Sequence, residues 1–308
     1  MATHYRQHWL SGQRRYAYLA FLFVLLTLFS LSACQHNAPE EKGIFYQPLS
    51  RDKPVSPEQW STLLSEVERV GIRSLVVQWN QYGEESFGGQ QGWLAARLES
   101  TIEQGSKIWL GLYADPDYFQ SIHGTAQQQN RYLQSYFEEL GANYQGWHSW
   151  VERHRHGVEG LYIPMELSDY DFDTKEKRKQ LEYLLQQHVK QYDIPLMISV
   201  YLSGAMSPKE TQYWLQDLTG LGLKVLLQDG RGTQLLDDET WDEYAQQLGC
   251  DIGIINEIFV QQEGNGFSAR KLNLDQFQAV MKQTPCHASV LFSLRYLPFE
   301  SNPLKLAD

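Results

Sequence analysis

Eight apolar runs of strand length recur along the chain, at residues 43–49, 74–79, 107–113, 160–166, 196–202, 224–228, 252–259 and 289–295, and they alternate with segments of helical periodicity. Such alternation is the pattern of repeated βα units, which pair as parallel strands and need cover on both faces. Eight units close a (β/α)8 TIM barrel. A doubly wound open sheet uses the same alternation but ordinarily carries a glycine-rich phosphate turn after its first strand. Here that turn is Gln47-Pro48-Leu49-Ser50-Arg51, without glycine, and the barrel is favoured.

Helix starts are legible as chemistry. Ser56-Pro57-Glu58-Gln59 and Ser207-Pro208-Lys209-Glu210 each set a capping serine before a proline at the first helical position. Further helices are expected over 93–103, 130–140, 174–192, 239–248 and 274–282, with Gly71, Gly105, Gly141 and Gly249 as stops. After Arg295 only a short tail with proline and asparagine remains, so the eighth helix is expected to be missing or replaced by that tail.

The first 33 residues carry Arg6, Arg14 and Arg15, then an almost wholly apolar stretch from Ala17 to Leu31, then Ser32-Ala33 before Cys34. This is the layout of a secretory signal. A cysteine directly after the small residues makes it similar to a bacterial lipoprotein signal, with Cys34 as the lipidated first residue of the mature chain. An uncleaved anchor helix is the alternative, but the stretch is shorter than the ~20 apolar residues of a bilayer span. Gln35 after the cysteine, by the same resemblance, favours a lipid-anchored protein on the periplasmic side of the outer membrane. Residues 34–42 then form a tether of at most roughly 28 Å, and residues 43–308 a single barrel domain.

Losing the three arginines takes the net charge of −11 to near −14. With no basic run to offset it, that surface excludes nucleic acid as a partner and leaves lipid as the means of membrane attachment. Cys250 and Cys286 remain, each just before a strand and so at one rim of a parallel sheet. A disulfide is expected there, two separate buried thiols being the alternative.

The C-terminal ends of the strands gather polar and aromatic residues, where a barrel builds its site. They are Gln47, Gln78 and Trp79, Tyr113 and Asp115, Glu166, Tyr201, Gln228 and Asp229, Asn256 and Glu257, and Arg295. Amides and carboxylates beside an aromatic platform such as Trp79 suit a sugar, with its hydroxyl edges and apolar faces. Two glutamates ending strands four and seven form the pair that glycosidic cleavage commonly uses, one as acid and one as nucleophile or base. The structural alternatives are a Glu166–Arg295 pair and a Glu257 bonded to backbone amides. Asp229 is the reserve carboxylate, although Asp-Gly is also a turn signal.

The segments Gly43-Ile-Phe-Tyr-Gln47, Glu58-Gln-Trp60, Val77-Gln-Trp79, Tyr162-Ile-Pro-Met-Glu166 and Gln228-Asp-Gly230 resemble an uncharacterised family of secreted and lipoprotein TIM barrels related to the glycoside hydrolases. The likeness spans roughly residues 43 to 300. It implies an acid/base at Glu166 and a nucleophile at Glu257. It also implies an asparagine before the strand-four glutamate to contact the sugar 2-hydroxyl, where this chain has Met165; that contact then moves to Asn256 or another residue, or hydrolysis is impaired.

No metal or cofactor is expected. His154 and His156 stand two apart and do not share a helix face. Asp169, Asp171 and Asp173 lack the glycine and the twelfth-position acid of a calcium loop, and are expected to form a solvated acidic loop beside the cleft. Two functions follow: a hydrolase of an envelope or exported polysaccharide, or a non-catalytic glycan-binding or scaffold barrel with a partner in polysaccharide export or envelope assembly.

Overall fold

The computed structural model describes residues 42–262, 268–282, 286–304 and 306. The signal segment, Cys34 and the tether up to residue 41 lie outside the described residues, while Lys42 is already the first residue of a strand. Eight strands, β1 (Lys42–Tyr46), β2 (Ile72–Val77), β3 (Lys107–Gly111), β4 (Val158–Ser168), β5 (Leu196–Tyr201), β6 (Leu223–Gln228), β7 (Gly253–Glu257) and β8 (Ser289–Phe292), pair in parallel and close β8 onto β1. The fold is a (β/α)8 TIM barrel. Most of its strands end a few residues short of the apolar runs that mark them, and the surplus residues form the rim.

Successive side chains on a strand point to opposite faces, and the apolar runs use both. Phe45, Val76, Trp109, Tyr162, Met197, Leu226, Ile255 and Val290, one from each strand, pack together as a plug inside the barrel. Their neighbours in sequence, such as Ile44, Tyr46, Leu75 and Val77, face the surrounding helices. Fit inside is tight: a Cβ on Gly160 would lie 2.3 Å from the Trp109 ring.

One irregularity moves a functional residue. Tyr162 on β4 faces Met197 on β5, and the next matched pair is Glu166 with Ser199, so four residues of β4 span two of β5. Pro164, which has no N–H for the ladder, sits within this bulge. The two extra residues bring Glu166, rather than Pro164, level with Ser199.

The helices are α1 (Pro57–Arg69), α2 (Trp93–Glu103), α3 (Ala126–Arg153), α4 (Lys175–Val189), α5 (Pro208–Gly220), α6 (Asp238–Ala245) and α7 (Leu274–Met281), with a single helical turn at Tyr118–Ser121. Ser56 and Ser207 make the expected capping boxes with Gln59 and Glu210. Gly71 and Gly105 follow α1 and α2 with φ of 88° and 93°, the left-handed cap that glycine adopts without a side-chain clash. Gly141 does not stop a helix. It lies within the 28 residues of α3, whose buried stripe of Leu133, Phe137, Leu140, Tyr144, Trp147 and Trp150 outweighs the cost of about 1 kcal/mol for one internal glycine. Gly249 likewise caps nothing, since α6 ends at Ala245.

Among the described residues no α-helix follows β8. A 3-10 turn at Leu294–Tyr296 leads into the tail, where Leu297 and Leu304 are buried and Phe299 meets Phe277 of α7 edge to face. Asn302 donates to the Leu294 carbonyl at 2.8 Å, and Ser301 reaches Glu66 of α1. The tail thus covers the gap between α7 and α1.

Cys250 and Cys286 are joined in a disulfide, with Cα atoms 5.2 Å apart, just ahead of β7 and β8. Closing a loop of this length restricts the unfolded chain, and the Cys250→Ser/Cys286→Ser protein should lose about 2–4 kcal/mol. Denaturant unfolding measures it; a wild-type midpoint indifferent to reductant would count against this role.

Candidate active site

Two positions beyond the apolar plug, the strands turn polar. Gln78 follows β2, Gln228 ends β6, Glu257 ends β7, and the β4 bulge raises Glu166 into the same layer. Gln78 donates from Nε2 to Glu166 Oε1 at 3.3 Å, and Gln228 also hydrogen-bonds the Glu166 carboxyl. Behind it, the Tyr118 hydroxyl donates to the Glu166 carbonyl at 3.3 Å. Burial, and then the charge of Glu257, push the Glu166 carboxyl up to about 7, with Gln228 opposing. A carboxylic acid near neutrality both gives and takes a proton under ordinary conditions.

Glu257 is 7% exposed and is held differently. Its Oε2 accepts from the Gly232 and Thr233 amides, each at 2.8 Å, and from the Thr233 hydroxyl at 3.3 Å. Burial raises its pKa, while these three donors favour the charged form and act against the rise. Its Oε1 makes no hydrogen bond among the described residues. The close approach needs a glycine, since a Cβ on residue 232 would lie 2.9 Å from Glu257 Oε2.

Asp229 is the third carboxylate. Its Oδ1 accepts from the Glu257 and Arg231 amides, both at 3.2 Å. Burial and then the Glu257 charge raise it to about 7, opposed by the two amides and by Arg231. Asp229 thus shapes the Asp-Gly turn and ties it to the end of β7.

Other residues at the rim have separate duties. Arg295 pairs with Asp52 at 2.8 Å and donates to the Gln47 carbonyl at 3.1 Å, so its salt bridge is with Asp52 and not with Glu166. Gln47 is half-buried beside it. Trp79 is no open platform: its indole donates to the Pro48 carbonyl at 3.0 Å and its ring is buried in the outer core, with the more exposed Tyr82 ring against it at 5.0 Å. Tyr113 lines a groove along α3 with Glu139, Asn143 and Trp147. Asp115 accepts from the Tyr132 hydroxyl and the Asp117 amide. Asn256 alternates away from Glu257 and gives its amide to Ser289 at 2.9 Å. Met165 packs in the outer core, so no side chain at that position reaches the mouth.

Asp169 and Asp171 are buried, not solvated. Asp169 accepts from the Ser203 amide at 2.6 Å and the Met206 amide at 3.1 Å, while Asp171 accepts from Ser168 at 2.6 Å and meets His123. Asp173 alone of the three is exposed, beside Lys177 at 2.9 Å. Tyr201, matched with Ser168 across β4 and β5, hydrogen-bonds that serine and lies near Glu166. His154 packs on Trp150 and bonds its carbonyl, and no cluster suited to a metal occurs among the described residues. Asn80, two residues beyond Gln78, is fully buried with both polar side-chain atoms unpartnered. Its place was foreshadowed only by the alternation Gln78-Trp79-Asn80.

This is a (β/α)8 barrel with three carboxyls, Asp229 and Glu257 buried and Glu166 half-buried, at the C-terminal mouth of its strands, the end where such barrels carry their sites. The chain belongs to the family described as Domain of unknown function (DUF4434), whose pattern matches residues 42–294. It is 32% identical over 292 residues to "Uncharacterized protein YbcH" of Escherichia coli (strain K12), covering 90% of this chain and 96% of that one. Among solved structures, a "putative alpha-L-fucosidase" from Bacteroides thetaiotaomicron VPI-5482 matches with a TM-score of 0.53 at 15% identity, over 84% of this chain and 86% of that one. That likeness is one of fold.

Glu166 sets a pH test. Its folded pKa of about 7 lies above the 4.5 of an ordinary glutamate, so from pH 4.5 to 7 the native state binds more protons than the unfolded one. Its contribution is whole below pH 4.5 and is lost as pH rises through 7. Glu166→Gln, which cannot ionise, should therefore gain in melting temperature over wild type at pH 8 compared with pH 5; an equal difference at both would remove the shift.

Proposed function

We propose that the protein is a retaining glycoside hydrolase, anchored by lipid on Cys34 at the periplasmic side of the outer membrane, that cuts an envelope or exported polysaccharide. The observation that carries this reading is the inequality between two neighbouring carboxyls. Glu166 is poised near pH 7, whereas Glu257 is kept towards its charged form by three donors on one oxygen. Those are the needs of a general acid and a nucleophile. The implied order of roles, acid after strand four and nucleophile after strand seven, supports it.

In the first step Glu166 gives its proton to the glycosidic oxygen as the C1–O bond breaks, and Glu257 Oε1 bonds to C1 from the opposite face. In the second, Glu166 takes a proton from water, whose oxygen displaces Glu257 from C1. Gln78 and Gln228 hold the Glu166 carboxyl for both transfers.

One observation favours a second reading, a glycan-binding or scaffold barrel without catalysis. Met165 is turned into the outer core, so the sugar contact expected before Glu166 is absent. Turnover decides between them. On polysaccharides and aryl glycosides, Glu166→Gln and Glu257→Gln should each lower kcat by about 10²–10⁴-fold while remaining folded, and the first product should keep its anomeric configuration by NMR. Release of reducing ends at the wild-type rate by both variants would reject the assignment, and glycan binding without cleavage would leave the scaffold.

A further inference from the structure

Acceptor atoms without a protein partner collect at this mouth. Glu166, Asp229 and Glu257 bring carboxyl groups. Gln78, 5% exposed, gives its amide nitrogen to Glu166, and its Oε1 is buried without a partner. Tyr201 lies on the Ser168 side of Glu166. Ser168 uses its single hydrogen on Asp171 Oδ2 and accepts from the Asp171 amide at 2.9 Å. Asn80 supplies the unpartnered donor of the set, together with an unpartnered carbonyl.

Positive charge is scarce around these groups. No basic side chain is among the groups acting on Glu166 or Glu257. Arg231 acts on Asp229 but lies 4.0 Å from the exposed Asp238, and Arg295 is held by Asp52. Asp169 and Asp171 add negative charge on the Tyr201 side.

The geometry points to a substrate sugar with a free amine, its ammonium group seated beside Glu257 between Glu166 and Asp229, with Gln78 Oε1 as a further acceptor. This rests on the reading of the site as a glycan site and narrows it to de-N-acetylated polysaccharide. An ammonium brings three donors and no acceptor, and its charge offsets the repulsion among the carboxylates. An N-acetyl group would set a carbonyl against Glu257 Oε1 and Gln78 Oε1, and a uronate would add another like charge, so both are disfavoured.

Calorimetry on the intact protein at pH 7, where Glu166 and Asp229 are about half ionised, tests this with β-1,4-linked glucosamine tetramer, its N-acetylated counterpart and cellotetraose; glucosamine and glucose serve as probes independent of linkage. The amine forms should bind at least about tenfold more tightly than their neutral partners. Asp229→Asn, Glu257→Gln and Gln78→Ala, each checked for an unchanged fold by melting, should reduce that preference severalfold. Equal or tighter binding of neutral or acetylated sugars overturns the inference, as does failure of every amine probe to bind. Cleavage is scored separately: hydrolysis with no preference for amines sinks only this inference, and amine-selective binding without cleavage sinks only the hydrolase.

Discussion

A closed parallel sheet buries both faces of every strand, and the rest of the molecule follows from that constraint. Each strand must be apolar on two sides, so one set of side chains packs inward as the plug and the other outward beneath the helices. The plug seals the barrel's middle. Polar side chains are therefore placed above it, two positions further along, where strand ends meet solvent. Gln78, Gln228 and Glu257 reach that layer by simple alternation, and Glu166 reaches it because β4 bulges around Pro164.

The mouth carboxylates also fasten the loops that surround them. Glu257 ties down Gly232 and Thr233, Asp229 ties the turn at Arg231 to the end of β7, and Asp169 ties the segment from Ser203 to Met206. One oxygen of Glu257 is engaged with the protein, while the other makes no hydrogen bond among the described residues. The reading of Glu257 as a binder of backbone amides thus describes half of the group. The buried Asp52–Arg295 pair does the corresponding work between the 3-10 turn after β8 and the loop after β1.

The strand count, parallel pairing and most helix starts were legible because they rest on local periodicity and capping chemistry, which act over a few residues. Serine before proline at 56 and 207 opened helices as read, whereas Gly141 misled, because its local cost is smaller than the packing of the stripe around it. The rim residues divided for a similar reason. Sequence marked Trp79, Asn256 and Arg295 as polar or aromatic groups at strand ends but not the side to which each turns or the partner it finds. Asp169 and Asp171 looked like a solvated loop because their partners, Ser203, Met206 and His123, are distant in the chain.

By itself, the sequence determined that eight strands alternate with helices and that the last is followed only by a short tail, that two glutamates stand at the ends of the fourth and seventh strands, and that two cysteines precede the last two. Those are properties of neighbouring residues, fixed by side-chain alternation and backbone preference. Only the tertiary structure decided that Glu166 and Glu257 share one low-dielectric mouth, that Asp229 joins them, and that the basic group at Arg295 is withheld from it. A carboxyl's charge state depends on the water and charges within a few ångströms, and chain closure through eight units brings those neighbours together.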